Sequence, residues 1–121
     1  MSVQNKSLLL DQIRIIKMSK VVTSFGEYIR SLRETAGLPI RKIAAQLDID
    51  PSLLGKIERN ERQPTREQIA SIAKIYKQDK KYLTEQFLSD QFAYRIMEEE
   101  ADISILKVAE DKVKYFTQKR K

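Results

Sequence analysis

The sequence predicts an all-α protein, a five-helix domain followed by a C-terminal helical extension. Only three glycines and three prolines occur in 121 residues, all between Gly26 and Pro64. Long stretches of good helix formers are therefore left without punctuation. No run alternates with period two over a useful length, and Asn-Gly and Asp-Gly turns are absent. Apolar residues recur instead at spacings of three and four, between residues suited to capping helices.

Ser24-Phe25-Gly26-Glu27 reads as a capping box, in which Ser24 and Glu27 satisfy each other's amides. The helix it opens carries Phe25, Ile29 and Leu32 on one face and stops at Gly37, suited to a left-handed C-terminal turn. A short helix follows from about Ile40 to Leu47, with Ile43, Ala44 and Leu47 inward. Asp48-Ile49-Asp50 forms a three-residue turn. Asp50 caps the next helix and Pro51 occupies its first position, with Leu54 and Ile57 inward and the end near Arg59. Residues 60–64 make a polar loop. Thr65-Arg66-Glu67-Gln68 is a second capping box, opening a helix with Ile69, Ile72, Ala73 and Ile75 or Tyr76 inside. Asp79 caps a fifth helix with Tyr82, Leu83 and Phe87 apolar. From Ser89 to about Thr117 the pattern is helical again, as one helix or two broken near Asp102. These readings divide the chain into an N-terminal arm (1–23), a five-helix domain (24–88) and a helical tail (89–121).

Composition narrows the chemistry. The chain holds 23 Lys+Arg against 17 Asp+Glu, a net charge of +6, with no cysteine and no histidine. A basic balance favours a polyanionic partner. Thiolate metal sites, disulfides and cysteine nucleophiles are excluded, and the commonest general base and zinc ligand is missing. Glu98-Glu99-Glu100 reads as a solvated face rather than a metal or acid–base site, so no cofactor, metal or catalytic residue is expected. No apolar run exceeds the three residues of Leu8-Leu9-Leu10, too short for a membrane span or signal core. A cytoplasmic, non-enzymatic protein without membrane association or an evident small-molecule ligand is expected. The charge is unequally shared: +3 in residues 1–23, +3 in 24–88 and zero in 89–121.

Two short helices joined by a tight turn, with helices on either side, form the helix-turn-helix arrangement that enters the DNA major groove. The run Leu38-Pro39-Ile40-Arg41-Lys42-Ile43-Ala44-Ala45-Gln46-Leu47-Asp48-Ile49-Asp50-Pro51-Ser52-Leu53-Leu54-Gly55-Lys56-Ile57-Glu58-Arg59 resembles the Cro/repressor type, often called xenobiotic-response-element-like. The resemblance covers about residues 24–78. It gives Ala44 the small-residue position between the two helices and makes Leu47, Ile49, Leu54 and Ile57 core. It also implies a structural ion pair between Arg33 and Glu58. Four positions depart from the family pattern: Ile40 replaces a phosphate-touching glutamine, Asp48 and Asn60 replace glycines, and Pro51 replaces a base-reading polar residue. Specificity therefore does not transfer from relatives.

Removing the inward positions leaves Ser52, Leu53, Gly55, Lys56 and Arg59 on the outer face of the second helix of the pair. Ser52 and Lys56, four apart, project together. Lys56 is the leading base reader, because lysine can donate to guanine O6 and N7; Ser52 is a second candidate, and Leu53 and Pro51 could meet a thymine methyl. Gly55 would permit close backbone approach to DNA. Arg41, Lys42, Arg59, Arg62 and Arg66 are the expected phosphate contacts.

Phe92, Ile96, Ile103, Leu106 and Val113 fall near helical spacing on one side of the tail, an apolar band wider than a small domain can cover. The tail either packs back on the first and fifth helices or meets its copy in a homodimer, which a palindromic site on double-stranded DNA would also require. Together with Leu106-Lys107-Val108-Ala109-Glu110-Asp111-Lys112-Val113-Lys114-Tyr115, the core is similar to small regulators of restriction–modification loci. At the N-terminus, Leu9, Ile13 and Ile16 are spaced as an amphipathic helix made basic by Arg14, Lys17 and Lys20. Residues 1–17 read as an upstream-start extension or loosely docked segment, or as a basic arm along DNA. A dimeric, sequence-specific transcriptional regulator is expected. The alternative is an antitoxin or adaptor whose apolar tail binds a partner protein.

Overall fold

A computed structural model of the chain describes residues 22–120. The expectations for residues 1–21 lie outside the described residues. Those described form six helices and no strand: α1 (Phe25–Thr35), α2 (Ile40–Leu47), α3 (Pro51–Glu58), α4 (Arg66–Ile75), α5 (Lys80–Glu98) and α6 (Ile105–Lys119). None of them is long and apolar enough to cross a membrane.

Local chemistry starts the helices. Ser24 Oγ accepts from the Glu27 amide at 3.2 Å while the Ser24 amide donates to Glu27 Oε1 at 3.3 Å. Thr65 and Gln68 repeat the reciprocal box at 3.1 and 2.9 Å. The Asp50 carboxylate accepts from the Ser52 amide at 2.8 Å, with Pro51 opening α3. The ends share one device. After each of α1 to α5, an amide just past the helix end donates five residues back, from Leu38 to Arg33, Ile49 to Ala44, Glu61 to Lys56, Gln78 to Ala73 and Ala101 to Ile96, at 2.8–3.2 Å. The residue before each donor is left-handed: Gly37, Asp48, Asn60, Lys77 and Glu100, with φ from 51° to 69°.

Packing centres on α3, which lies against both α1 and α2. The larger core cluster joins Phe25, Ile29, Ile57, Ile69, Ile72, Ala73 and Leu83, and the smaller joins Ile43, Ala44 and Leu54. Ala44 is fully buried in the smaller cluster with Leu54, the position where added side-chain volume would force α2 and α3 apart. The Phe25 and Phe87 rings meet edge to face at 5.7 Å, carrying the first two turns of α5 into the domain.

The described residues hold six helices rather than five, and the fifth extends past residue 88. The fifth helix does not stop there: α5 runs without interruption to Glu98, because residues 80–98 contain no glycine or proline to end it. A sixth helix follows. The described residues divide into two compact units, 22–87 and 88–120, and the division falls inside α5. In the second unit α5 turns at Glu99-Glu100, and the Asp102 carboxylate accepts from the Ser104 amide at 2.8 Å just before α6.

Candidate nucleic-acid interface

The eight residues of α3 face core on two sides, and this decides what remains outside. Ile57 enters the larger cluster and Leu54 the smaller one. Leu53 is half-buried and packs against the larger cluster, so only part of its side chain faces outward. Gly55 is also buried: a Cβ there would meet Arg59 Nη1 at 3.1 Å and Ile40 Cδ1 at 3.6 Å. Its missing side chain thus makes room for neighbours within the protein, not for a DNA backbone. A helix buried over two arcs exposes less than subtraction of one inward face implies.

Pro51, Ser52 and Lys56 are exposed. Ser52 Oγ donates to Asp50 Oδ1 at 2.8 Å, so its proton is engaged by the cap while its lone pairs can still accept. The Ser52 amide and then its hydroxyl hold the Asp50 carboxyl below its ordinary value, so Asp50 is ionised beside the open face. Lys56 makes no ion pair with any other described residue. It is a free three-proton donor on the open stripe.

Behind that stripe the helix end is locked. Arg33 Nε and Nη2 donate to Glu58 Oε2 and Oε1 at 2.8 and 3.0 Å, and Arg33 Nη1 donates to the Leu38 carbonyl at 3.0 Å. The Glu58 side chain is only 4% exposed, so the bidentate pair is shielded from solvent and far from an ordinary surface bridge. Tyr76 packs beside it: burial first, and then the Glu58 charge, push its phenol up to about 12. A second tie uses Asn60. Its Oδ1 accepts from the Gly26 amide at 2.9 Å and its Nδ2 donates to Ser24 Oγ at 2.8 Å. The start of α1 is thereby fastened to the end of α3. The signal available in the sequence was an asparagine at a helix stop opposite a glycine near a helix start, but the partners are 34 residues apart.

Arg41 and Lys42 on α2, Arg62 in the 59–65 connection and Arg66 at the start of α4 are exposed, and none pairs with another described residue. Arg59 differs: its Nε donates to Glu61 Oε2 at 2.6 Å while its guanidinium lies over Gly55. Both members of that pair are about half exposed, so it is weak and exchangeable for a phosphate. In the tail, Phe92, Ile96, Ile103 and Leu106 line one groove, whereas Val113 stands apart on α6 and is 63% exposed.

A short helix held at both ends, with its outer stripe open and unpaired cations on the flanking elements, defines a helix-turn-helix DNA-binding module. Residues 24–83 match the family model of a helix-turn-helix domain, so this half of the chain is such a domain. No curated protein and no solved structure matches the chain significantly.

Proposed function

We propose that the protein is a sequence-specific DNA-binding transcriptional regulator, a repressor or autoregulator that acts in the cytoplasm as two copies on a palindromic operator. The carrying observation is the open stripe of α3, where unpaired Lys56 stands on a helix locked by Arg33 and Glu58. In this reading residues 24–88 bind DNA and 89–121 join the copies. Inserted in the major groove, α3 presents Lys56 to guanine O6 and N7, Ser52 Oγ as an acceptor for a base amino group, and the Pro51 ring to a thymine methyl. Arg41, Lys42, Arg62, Arg66 and, after leaving Glu61, Arg59 contact phosphates and set the register. The similarity to small regulators of restriction–modification loci makes control of such a locus the particular form of the proposal.

The test is fluorescence anisotropy on DNA from upstream of the protein's own gene and on scrambled DNA, over a salt series. Preference for the upstream DNA that survives near-physiological salt is the expected result. Equal, salt-sensitive binding to both would remove autoregulation and bring forward the reading of the exposed apolar tail as a partner-protein surface.

A further inference from the structure

The tail contains a cavity that its own side chains do not fill and a row of side chains that its own cavity does not receive. The cavity is a groove of 420 Å³ lined by Phe92, Ala93, Ile96 and Met97 of α5 with Ile103 and Leu106 beyond the turn. The row is Ala109, Val113 and Phe116 on α6, spaced four and three, a seam that can pack against another helix. Val113 and Phe116 are 63% and 56% exposed, and α6 buries no residue at all. A 15-residue helix without a buried face is marginal in water, so a partner covering its seam would stabilise α6.

We infer that the partner is the α6 seam of a second copy of this chain, which enters the groove while the first copy's seam enters the groove opposite. Groove and filler lie on one chain, so a two-fold exchange satisfies both and closes the assembly as a dimer. Charge permits it. Residues 88–121 sum to zero, and the α6 charges Lys107, Glu110, Asp111 and Lys114 already neutralise one another at 3.1–3.4 Å, so two tails meet without repulsion. Area permits it too: the large side chains of groove and seam, Phe92, Met97, Ile103, Leu106, Val113 and Phe116, are each at least 49% exposed. Together they present on the order of 600 Å², most of one partner's share of a standard interface. The exchange rests on the proposed function only for its biological use, the delivery of two α3 helices to two half-sites.

Its test needs no DNA. Sedimentation equilibrium of the full chain from about 1 to 200 μM is expected to show a reversible dimer. Val113→Asp and Phe116→Asp should each weaken it at least about tenfold, because either places a charge in the seam. Neither residue is buried in a single chain, so unchanged melting of the domain will show that folding is intact. The chain has no cysteine, so Phe92→Cys copies mixed with Val113→Cys copies are expected to join through a short thiol cross-linker. A monomer throughout the range, or variants that associate like the parent, would overturn the exchange. The first of these would give the groove another occupant, and the second would move the dimer elsewhere. A monomer that still prefers its operator would remove this inference and leave the DNA-binding reading standing.

Discussion

Asn60 accepts a hydrogen bond from the Gly26 amide at 2.9 Å, and through it the end of α3 is fastened to the start of α1. The approach is close enough that a Cβ on Gly26 would stand 2.5 Å from Asn60 Oδ1, 2.5 Å from the Glu58 carbonyl oxygen and 2.6 Å from that of Ile57. Two of those three neighbours are backbone and cannot swing aside. Gly26→Ala is therefore expected to destabilise the domain by at least ~2 kcal/mol in urea unfolding. A loss below about 0.5 kcal/mol, the range of an ordinary surface change, would show that the two helix ends are not held together in this way.

The Arg33–Glu58 pair predicts an asymmetry between breaking and replacing. Arg33→Met strands a carboxylate that is 4% exposed and should cost about 3–5 kcal/mol. Replacing both residues by methionine should cost clearly less, since no uncompensated charge is then buried. A double-mutant cycle by urea unfolding measures it. Simple additivity would reduce the pair to a surface bridge.

At the proposed DNA interface, Lys56→Ala should weaken operator binding by about 1–3 kcal/mol and relax one base position. Arg62→Ala should weaken operator and scrambled DNA alike and flatten the salt slope by about one unit. Anisotropy on both DNAs separates the two effects. An equal loss on both from Lys56→Ala would return that lysine to the phosphate contacts, and an unchanged slope would clear Arg62 of that role.

Lys77 ends α4 with φ of 54°, a conformation that glycine adopts freely and lysine does not. Lys77→Gly should raise stability by about 0.5–1 kcal/mol, the relief of strain exceeding the added freedom of the unfolded chain. Lys77→Pro should destabilise the domain strongly, because it forces φ negative and deletes the amide that donates to Lys74. Thermal melts of the two variants should move in opposite directions.

The Tyr76 phenol is raised in the folded state to about 12 from an ordinary value of 10.0, with burial the leading cause. The folded chain thus holds this proton more tightly than the unfolded one. Its contribution is complete below pH 10 and is lost as pH climbs toward 12. Tyr28, raised by burial and by Tyr82, acts in the same direction. Tyr76→Phe should make stability fall less steeply across that interval, as read from urea midpoints at successive pH values.

The beginnings of α1, α3 and α4 were legible because a capping box or an Asp-Pro start is a contact among residues at most three apart, written whole into the local sequence. The α2–turn–α3 arrangement and its buried Ile43, Ala44, Leu54 and Ile57 were legible from spacing for the same reason. The left-handed residues Lys77 and Glu100 were not, because a lysine or glutamate there gives no local sign and the next helix dictates the turn. The continuation of α5 to Glu98 escaped too, since a weakly amphipathic stretch does not mark where a domain ends. Tertiary structure alone decided which part of α3 is open. Leu53 is half covered and Gly55 buried because a second element lies over each, and the sequence of an eight-residue helix records one apolar direction but not how many neighbours surround it. The Asn60–Gly26 tie and the Arg33–Glu58 lock belong to the same class. Each joins residues 25 or more apart, and only the folded chain brings those distances to hydrogen-bond length.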